Sequence, residues 1–228
     1  FMEDLKMVSL LSTSSKMSEK CFGFSNKHCK TGSILKSLPP NKDGMPTACS
    51  ICYNSTGRTQ YPNYKKASDY RLNLATENPE EFVLLMSASI RMESINHFRF
   101  LFDGDVQNID MMLSFIKIAE LNPNCKFWLP TQEYKIIRDT EKIKKFPKNL
   151  VVRLSAIYVN DKPRNYKNTH TIHNTNKDFK HGKKCNAKRF EDLTIIEQKA
   201  IKPFYGAKCF DCVDCWNPKI KNVSFLRH

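Results

Sequence analysis

The chain has 228 residues, 40% of them hydrophobic, which suffices for one large domain with a buried core and excludes a disordered tail. Its net charge of +14 points to a phosphate-rich partner such as nucleic acid, with an acidic protein surface as the other reading. No stretch approaches the ~20 apolar residues of a bilayer span, and nine cysteines, an odd number, do not suit a fully paired extracellular disulfide framework.

MVSLLSTSS, near the start, is too short and polar for a signal peptide. A reducing cytoplasmic setting is therefore expected, where clustered cysteines serve as metal ligands rather than disulfides. Three segments of one compact domain are expected: a cysteine-containing 1–60, a βα core over 61–160, and a basic C-terminal 161–228. The last carries 15 basic against 7 acidic residues.

In chain order, LPPNKDGMPTA (38–48) reads as exposed loop. A helix begins at Pro62 and runs to Asn78, and a second begins at Pro79 with Asn78 as its cap and Phe82, Leu85, Met86 and Ile90 on one face. HFRFLFDGD (97–105) reads as a short strand, followed directly by a helix with Val106, Ile109, Met112, Leu113 and Ile116 in register. CKFWLP (125–130) is a second strand, 131–145 a helix, and NLVVRLSAIYV (149–159) a third strand. Strand, helix, strand, helix, strand with short connections is the signature of parallel βαβ units. The expected fold is α/β: a partial, TIM-like parallel β/α barrel with cysteine-rich metal-binding segments at both ends, an open doubly wound sheet being the other arrangement. From Asn160 a polar, basic stretch of some twenty-five residues reads as a mobile lid or a nucleic-acid-facing loop, and a modest helix follows over 188–201.

Eight cysteines fall into two groups: Cys21, Cys29, Cys49 and Cys52, then Cys185, Cys209, Cys212 and Cys215. Cys125 stands apart and reads as a small buried hydrophobe. The run C-x2-C-x2-C over 209–215 matches the spacing by which a [4Fe-4S] cluster takes three corners from one loop, with Cys185 as the remote fourth ligand. Four thiolates also suit zinc. In the first group Cys49 and Cys52 form one C-x2-C step, with Cys29 or Cys21 adding ligands. Three ligands would leave an iron open to substrate or S-adenosylmethionine, and four would close it. One or two clusters are expected.

Asp103 and Asp105 lie where a parallel strand meets its loop, the rim where α/β folds place ligands, as do Thr131 and Gln132 on the next strand. Asp103, Asp105, Thr131 and Arg153 are the catalytic candidates, and Tyr53, Asp103 and Arg153 the candidates for cofactor contact. Asp105 also reads as an N-cap. Arg153, a charge in an apolar strand, calls for a carboxylate or bound anion. Arg58 and Arg71 suit bidentate phosphate contacts. Lys177, Lys180, Lys183, Lys184, Lys188 and Arg189 suit a phosphate backbone, with Tyr166, Phe179 and Phe190 available to stack bases. His170, His173 and His181 read as solvated loop residues.

Taken in order, CSICY (50–53 with Cys49), GRTQYPN (57–63), YRLNL (70–74), NPEEFV (78–83), the DGD step (103–105), KFWLPT (126–131), VVRLS (151–155) and the closing CxxCxxCW resemble the gene product eighty-eight family of phage proteins over about residues 20–216. That family resembles, distantly, radical S-adenosylmethionine partial-barrel proteins. The chain departs from the pattern of those enzymes in its long insert between Cys29 and Cys49 and in having no C-x3-C-x2-C step. The resemblance implies a phage protein acting in the host cytoplasm. Joined to the cysteine reading, it implies an iron–sulfur protein that binds or modifies nucleic acid. The alternative is a non-catalytic protein, stabilised by zinc or an inert cluster, that binds nucleic acid or a host partner.

Overall fold

The alternating periods of the sequence become alternating helices and strands in a computed structural model, which describes residues 9–14, 16, 17, 19–203 and 207–227, and of Arg58 the backbone only. Two short strands, β1 (Ser12–Thr13) and β2 (Lys20–Cys21), precede helix α1 (Lys30–Ser37). Helices α2 (Pro62–Glu77) and α3 (Pro79–Met92) each open on a proline, whose missing N–H is an orphan there anyway. The βα units are β3 (His97–Arg99), α4 (Ile109–Leu121), β4 (Lys126–Thr131), α5 (Tyr134–Ile143) and β5 (Leu150–Ser155). The last third holds β6 (Thr169–His173), β7 (Lys183–Lys184), β8 (Lys188–Arg189), α6 (Ile195–Ala200), β9 (Ala207–Lys208) and β10 (Asn222–Leu226).

Eight strands share one sheet in the order β1-β2-β3-β4-β5-β6-β10-β7, antiparallel between β1 and β2 and parallel elsewhere. From β2 to β6 spatial order follows chain order, so every crossover steps the same way. Right-handed crossovers then put their helices on one face. The fold is thus mixed α/β with a mostly parallel central sheet. A barrel is not seen: β1 and β7 stand at the edges, and no pairing joins them among the described residues.

Successive side chains of a strand point to opposite faces, and that parity divides the molecule. Phe98, Phe100, Phe127, Leu129, Leu150, Val152 and Leu154 pack with Phe82, Met86, Met112, Phe115 and Ile137 of the helices in one continuous core. Phe100 stacks on both Phe115 and Phe127, with ring centroids 4.4 and 5.1 Å away. Each such buried ring contributes about 1.5–3 kcal/mol relative to an exposed one. The other face carries Arg99, Trp128 and Arg153, and it is covered by the cysteine-rich C-terminal loop.

Several expected boundaries move. The strand over 97–105 ends at Arg99; the chain then turns through Leu101 (φ 54°) and Gly104 (φ 78°). Gly104 is required there, because a Cβ would stand 2.6 Å from the Phe24 ring and 2.8 Å from its carbonyl oxygen. Helix α4 begins at Ile109 rather than Val106, with Asn108 as its cap accepting from the Met111 N–H at 2.8 Å. The basic stretch after Asn160 is neither a lid nor a bare loop, since β6 lies within it between β5 and β10. Its buried face is polar and bonded from β10: Thr169 Oγ1 donates to Asn222 Oδ1 (2.9 Å), Asn222 Nδ2 to Thr171 Oγ1 (3.1 Å), and His173 Nδ1 shares a bond with Ser224 Oγ (2.8 Å), while His173 Nε2 is buried with no partner among the described residues. Hydrophobic periodicity could not show that strand. The helix expected over 188–201 shrinks to α6, started by a capping box between Thr194 and Glu197.

Candidate metal centres

The first thiol group forms at the carboxyl rim of the sheet. Cys29 caps the start of α1, and Cys49 and Cys52 sit on the turn after the 38–48 loop, where the Cys52 N–H donates to the Cys49 carbonyl at 3.3 Å. Gly32 lies one turn into α1. A Cβ on it would stand 2.9 Å from Cys29 Cβ, 3.6 Å from Cys49 Sγ and 3.8 Å from Cys29 Sγ, so its bareness keeps a space open beside two sulfurs. Asn26 Nδ2 donates to Cys52 Sγ at 3.7 Å.

Carboxylates ring these thiols. Asp105 Oδ1 accepts from Thr131 Oγ1 (2.5 Å) and the Val106 N–H (2.8 Å), and Oδ2 from the Gln132 N–H (2.9 Å). It therefore staples β3's loop to the end of β4 and does not cap α4. Asp103 accepts from Tyr64 Oη (2.6 Å) and the Gly104 N–H (3.0 Å). Glu133 accepts from the Thr31 N–H (3.0 Å) and Thr31 Oγ1 (2.7 Å), tying α1 to the end of β4. Burial pushes Asp105 up to about 7 and Asp103 up to about 6, with these hydrogen bonds acting the other way. Burial and then the charge of Asp105 hold the Cys29 thiol well above its ordinary range and push Cys49 up to about 12. The site thus sets three thiols beside buried carboxyl groups, and burial raises the proton affinity of Asp103, Asp105, Cys29 and Cys49 together.

The second group forms over the opposite face of the sheet. Cys185 follows β7 and donates its N–H to the Ser224 carbonyl (2.8 Å). Cys209 donates its N–H to Lys16, and the Cys212 N–H closes a turn on Cys209 at 2.9 Å. Cys209 and Cys185 pack against a cluster that contains Cys215, Trp216, Trp128, Met17 and Val223. Burial raises Cys215, Cys209 and Cys212, and neighbouring thiols of the same group add to each, Cys185 among them in all three cases. Arg99 favours the thiolates of Cys215 and Cys209, Arg153 that of Cys215, and Lys16 that of Cys209. The guanidinium of Arg99 lies 4.5 Å from the Trp128 ring centroid. Arg99 Nε and Trp128 Nε1 are buried with no hydrogen-bond partner among the described residues. A groove of about 420 Å³ reaches Cys209 and Cys212 from solvent, between Lys188, Ile201 and Phe210.

Two anchors fix the C-terminal loop. Trp216 Nε1 donates to the Phe98 carbonyl at 2.9 Å, and its ring meets Trp128 edge-on at 5.4 Å. Arg153, fully buried, donates to five carbonyl oxygens: Cys215 (2.9 Å), Ile220 (2.9 Å), Asn217 (2.9 Å), Asp214 (3.3 Å) and Thr169 (3.3 Å). Phe102 stands between the two sites. Its ring packs against the second cluster, while its carbonyl accepts from Tyr53 Oη and Asn54 Nδ2, both at 2.8 Å, beside Cys52.

The structure brings Cys29, Cys49, Asp103, Asp105 and Thr131 together and gathers Cys185, Cys209, Cys212 and Cys215. It corrects other expectations. Cys21 is not with the first group; fully buried on β2, it packs with the second and donates to the Ser12 carbonyl at 3.3 Å. Arg153 meets carbonyl oxygens rather than a carboxylate or an anion, and it faces away from the rim. Arg71 is buried and donates through Nε and Nη2 to the Ser9 carbonyl (3.1 and 3.0 Å), so it is not on a phosphate-facing surface. The Arg58 side chain lies outside the described atoms. Lys183 pairs with Asp214 at 2.8 Å, Lys188 with Glu197 at 3.3 Å and Arg189 with Glu191 at 3.9 Å, leaving Lys177, Lys180 and Lys184 as the exposed cations of that set with no ion pair of their own among the described residues. Tyr166 is held by Glu141 (2.8 Å) against the core, and His173 is buried in β6. Burial, then the charges of Arg153 and Arg99, push His170 down to about 3, so it is a neutral imidazole. Cys125 is buried in the core, as its sequence context suggests. Among the described residues, no group of three or more His, Cys, Asp or Glu side chains stands arranged to hold a single metal ion. Sequence reasoning missed Glu133, Tyr64, Gly32 and Arg99. Arg99 carried the same signal as Arg153, a charge alternating with apolar residues in a strand.

Arg153→Met should leave several buried carbonyls without donors and cost on the order of 3 kcal/mol in urea unfolding. Arg153→Lys should recover only part of this, because an ammonium cannot serve five carbonyls. A stability equal to wild type would show that the loop is held by other contacts. For Asp105, the unfolded carboxyl ionises near 4 and the folded one near 7. Its contribution is therefore fully present below pH ~4 and is lost as pH rises through ~7. The metal-free wild type should lose stability relative to Asp105→Asn over that range, and a difference independent of pH would mean an ordinary carboxylate.

A family model described as Gene product 88 matches residues 4–218. No curated protein and no solved structure matches the chain.

Proposed function

The chain belongs to the Gene product 88 family, and we propose that it is an iron–sulfur protein with two cluster sites, acting on nucleic acid. The observation that carries the proposal is the gathering of unpaired cysteines into two groups whose surroundings suit clusters. Beside the second group, buried Arg99 Nε and Trp128 Nε1 have no acceptor among the described residues, and sulfur atoms of an anionic cluster are acceptors of the right sign. Beside the first, bare Gly32 leaves room at two sulfurs.

In this reading Cys185, Cys209, Cys212 and Cys215 close one [4Fe-4S] cluster, and Cys29, Cys49 and Cys52 hold another with one iron free of protein. When bound, such a cluster supplies an electron and an anchoring point for a small molecule, for which S-adenosylmethionine is proposed. Asp103, Asp105 and Glu133 favour its ammonium and sulfonium charges, and Asp105 is poised to take up a proton near neutral pH. The open parallel sheet, with helices on one face and this rim at its carboxyl end, supports reading it as the wall of a partial barrel like that of radical S-adenosylmethionine proteins. The net charge of +14 and exposed Lys177, Lys180 and Lys184 support a nucleic-acid substrate.

Anaerobically purified protein should be brown and contain iron and acid-labile sulfide. Cys212→Ser should lose about half of the iron, and Gly32→Ala, whose Cβ would meet Cys29 Cβ at 2.9 Å and displace that ligand, should lose the first cluster alone. A colourless protein with stoichiometric zinc would replace this reading with the non-catalytic one. If iron is present, reductive cleavage of S-adenosylmethionine tests the open site. Single-stranded or duplex nucleic acid should bind with steep salt dependence, and Lys177→Glu with Lys180→Glu and Lys184→Glu should weaken binding at least tenfold. Absence of binding at low salt would remove nucleic acid from the proposal.

A further inference from the structure

We infer that a single-stranded nucleic acid reaches the carboxyl rim along the outer side of α5 and the 162–167 loop, its phosphates on exposed lysines and its bases on stacked arginines. The inference rests on the nucleic-acid part of the reading above and names the strand type and its path. It does not depend on which metal the thiols take.

Residues 135–148 and 162–167 carry nine basic against two acidic residues, half of the chain's net charge of +14. Contacts join the two segments into one surface: Arg138 Nη2 donates to the Asn165 carbonyl at 3.3 Å, and the Lys167 ammonium lies 4.8 Å from the Phe146 ring centroid. Both acids are occupied, Asp139 by Lys142 at 2.7 Å and Glu141 by Lys167 at 2.9 Å, and Lys144 pairs with Glu120 of α4 at 2.9 Å. Lys135, Arg138, Lys145, Lys148, Lys162 and Arg164 make no ion pair among the described residues, and all but half-buried Arg164 are exposed. Cations gathered in this way repel one another, and a polyanion relieves the repulsion while shedding its own counterions.

The arginines select the kind of polyanion. The Arg138 guanidinium lies 4.9 Å from the Tyr134 ring centroid and 5.9 Å from that of Tyr166, and Arg164 lies 5.8 Å from Tyr134. Both tyrosines pack against the core, so the surface presents outward the guanidinium of exposed Arg138, backed by rings. An unpaired base stacks on such a plane. The bases of a duplex are already stacked on one another, and a protein carboxylate has no comparable face. Arg164 gives the direction: its Nη2 donates to Gln132 Oε1 at 3.5 Å, and the Gln132 N–H donates to Asp105 at 2.9 Å. The basic surface therefore ends one residue from the rim carboxylates.

The test is fluorescence anisotropy of the full chain with a labelled oligonucleotide, as single strand and as duplex, over a range of salt. Lys135→Glu with Lys145→Glu and Lys148→Glu should weaken single-strand binding at least tenfold and flatten its salt dependence. Arg138→Lys, which keeps the charge and loses the plane, should weaken the single strand severalfold and leave duplex binding unchanged. A triple variant that binds the single strand like wild type overturns the inference. So does an Arg138→Lys protein whose two affinities are unchanged or fall equally, and this variant decides the matter if the triple one fails to fold. Polyglutamate that displaces the single strand at equal charge concentration would assign the surface to an acidic protein and also overturn it. A wild-type chain that binds neither form at low salt defeats the nucleic-acid reading itself, whereas binding that ignores the α5 variants defeats this inference alone.

Discussion

A guanidinium enclosed in the middle of a parallel sheet must be compensated from within the protein, because moving such an ion out of water costs several kcal/mol even after relaxation. For Arg153 the compensation comes from backbone carbonyls, four of the five belonging to residues 214–220. The ordered backbone of the cysteine loop is thus the solvent of a buried charge. This constraint explains why the second face of the sheet is covered by irregular chain rather than by a helix. A helix would spend its carbonyls on its own N–H groups, whereas a loop can turn several of them toward one cation. The same carbonyls fix the path of Cys215 and Trp216, and with them the position of the C-terminal thiols.

The sheet also separates two chemical environments. On the rim, burial and the neighbouring acids together raise the proton affinity of the Cys29 and Cys49 thiols. On the covered face, arginines and a lysine lower the cost of thiolate formation, partly offsetting the burial that raises it. One fold supplies both because βα loops gather at the carboxyl ends of the strands, while strand parity points Arg99, Trp128 and Arg153 away from the helices.

The βαβ core was legible because its elements carry their own periodicity: α3 and β4 fall within a residue or two of where Pro79 and KFWLP place them. The cysteine spacing made Cys185, Cys209, Cys212 and Cys215 legible as a set. Cys21 was misassigned because proximity in sequence was its only warrant, and the strand it occupies, two residues long, is too short to leave a pattern. Strand β6 was invisible because its buried positions are Thr169, Thr171 and His173, polar groups that become core only when β10 answers their hydrogen bonds. Arg153 was recognised as anomalous, but its partners are carbonyl oxygens, which have no letter in the sequence.

Phe102 joins the two centres in one residue, its ring lodged among the side chains under the C-terminal thiols and its carbonyl held by Tyr53 and Asn54 next to Cys52. A shift of the ring carries the carbonyl with it, since both belong to a short turn fixed by the Phe22 carbonyl, which accepts the Phe102 N–H at 3.0 Å. Perturbations of the two sites that act on Phe102 therefore share one residue, the condition under which free energies cease to be additive. A double-mutant cycle across them would report a coupling energy through the backbone of a single phenylalanine, and each site would behave as part of the other's scaffold.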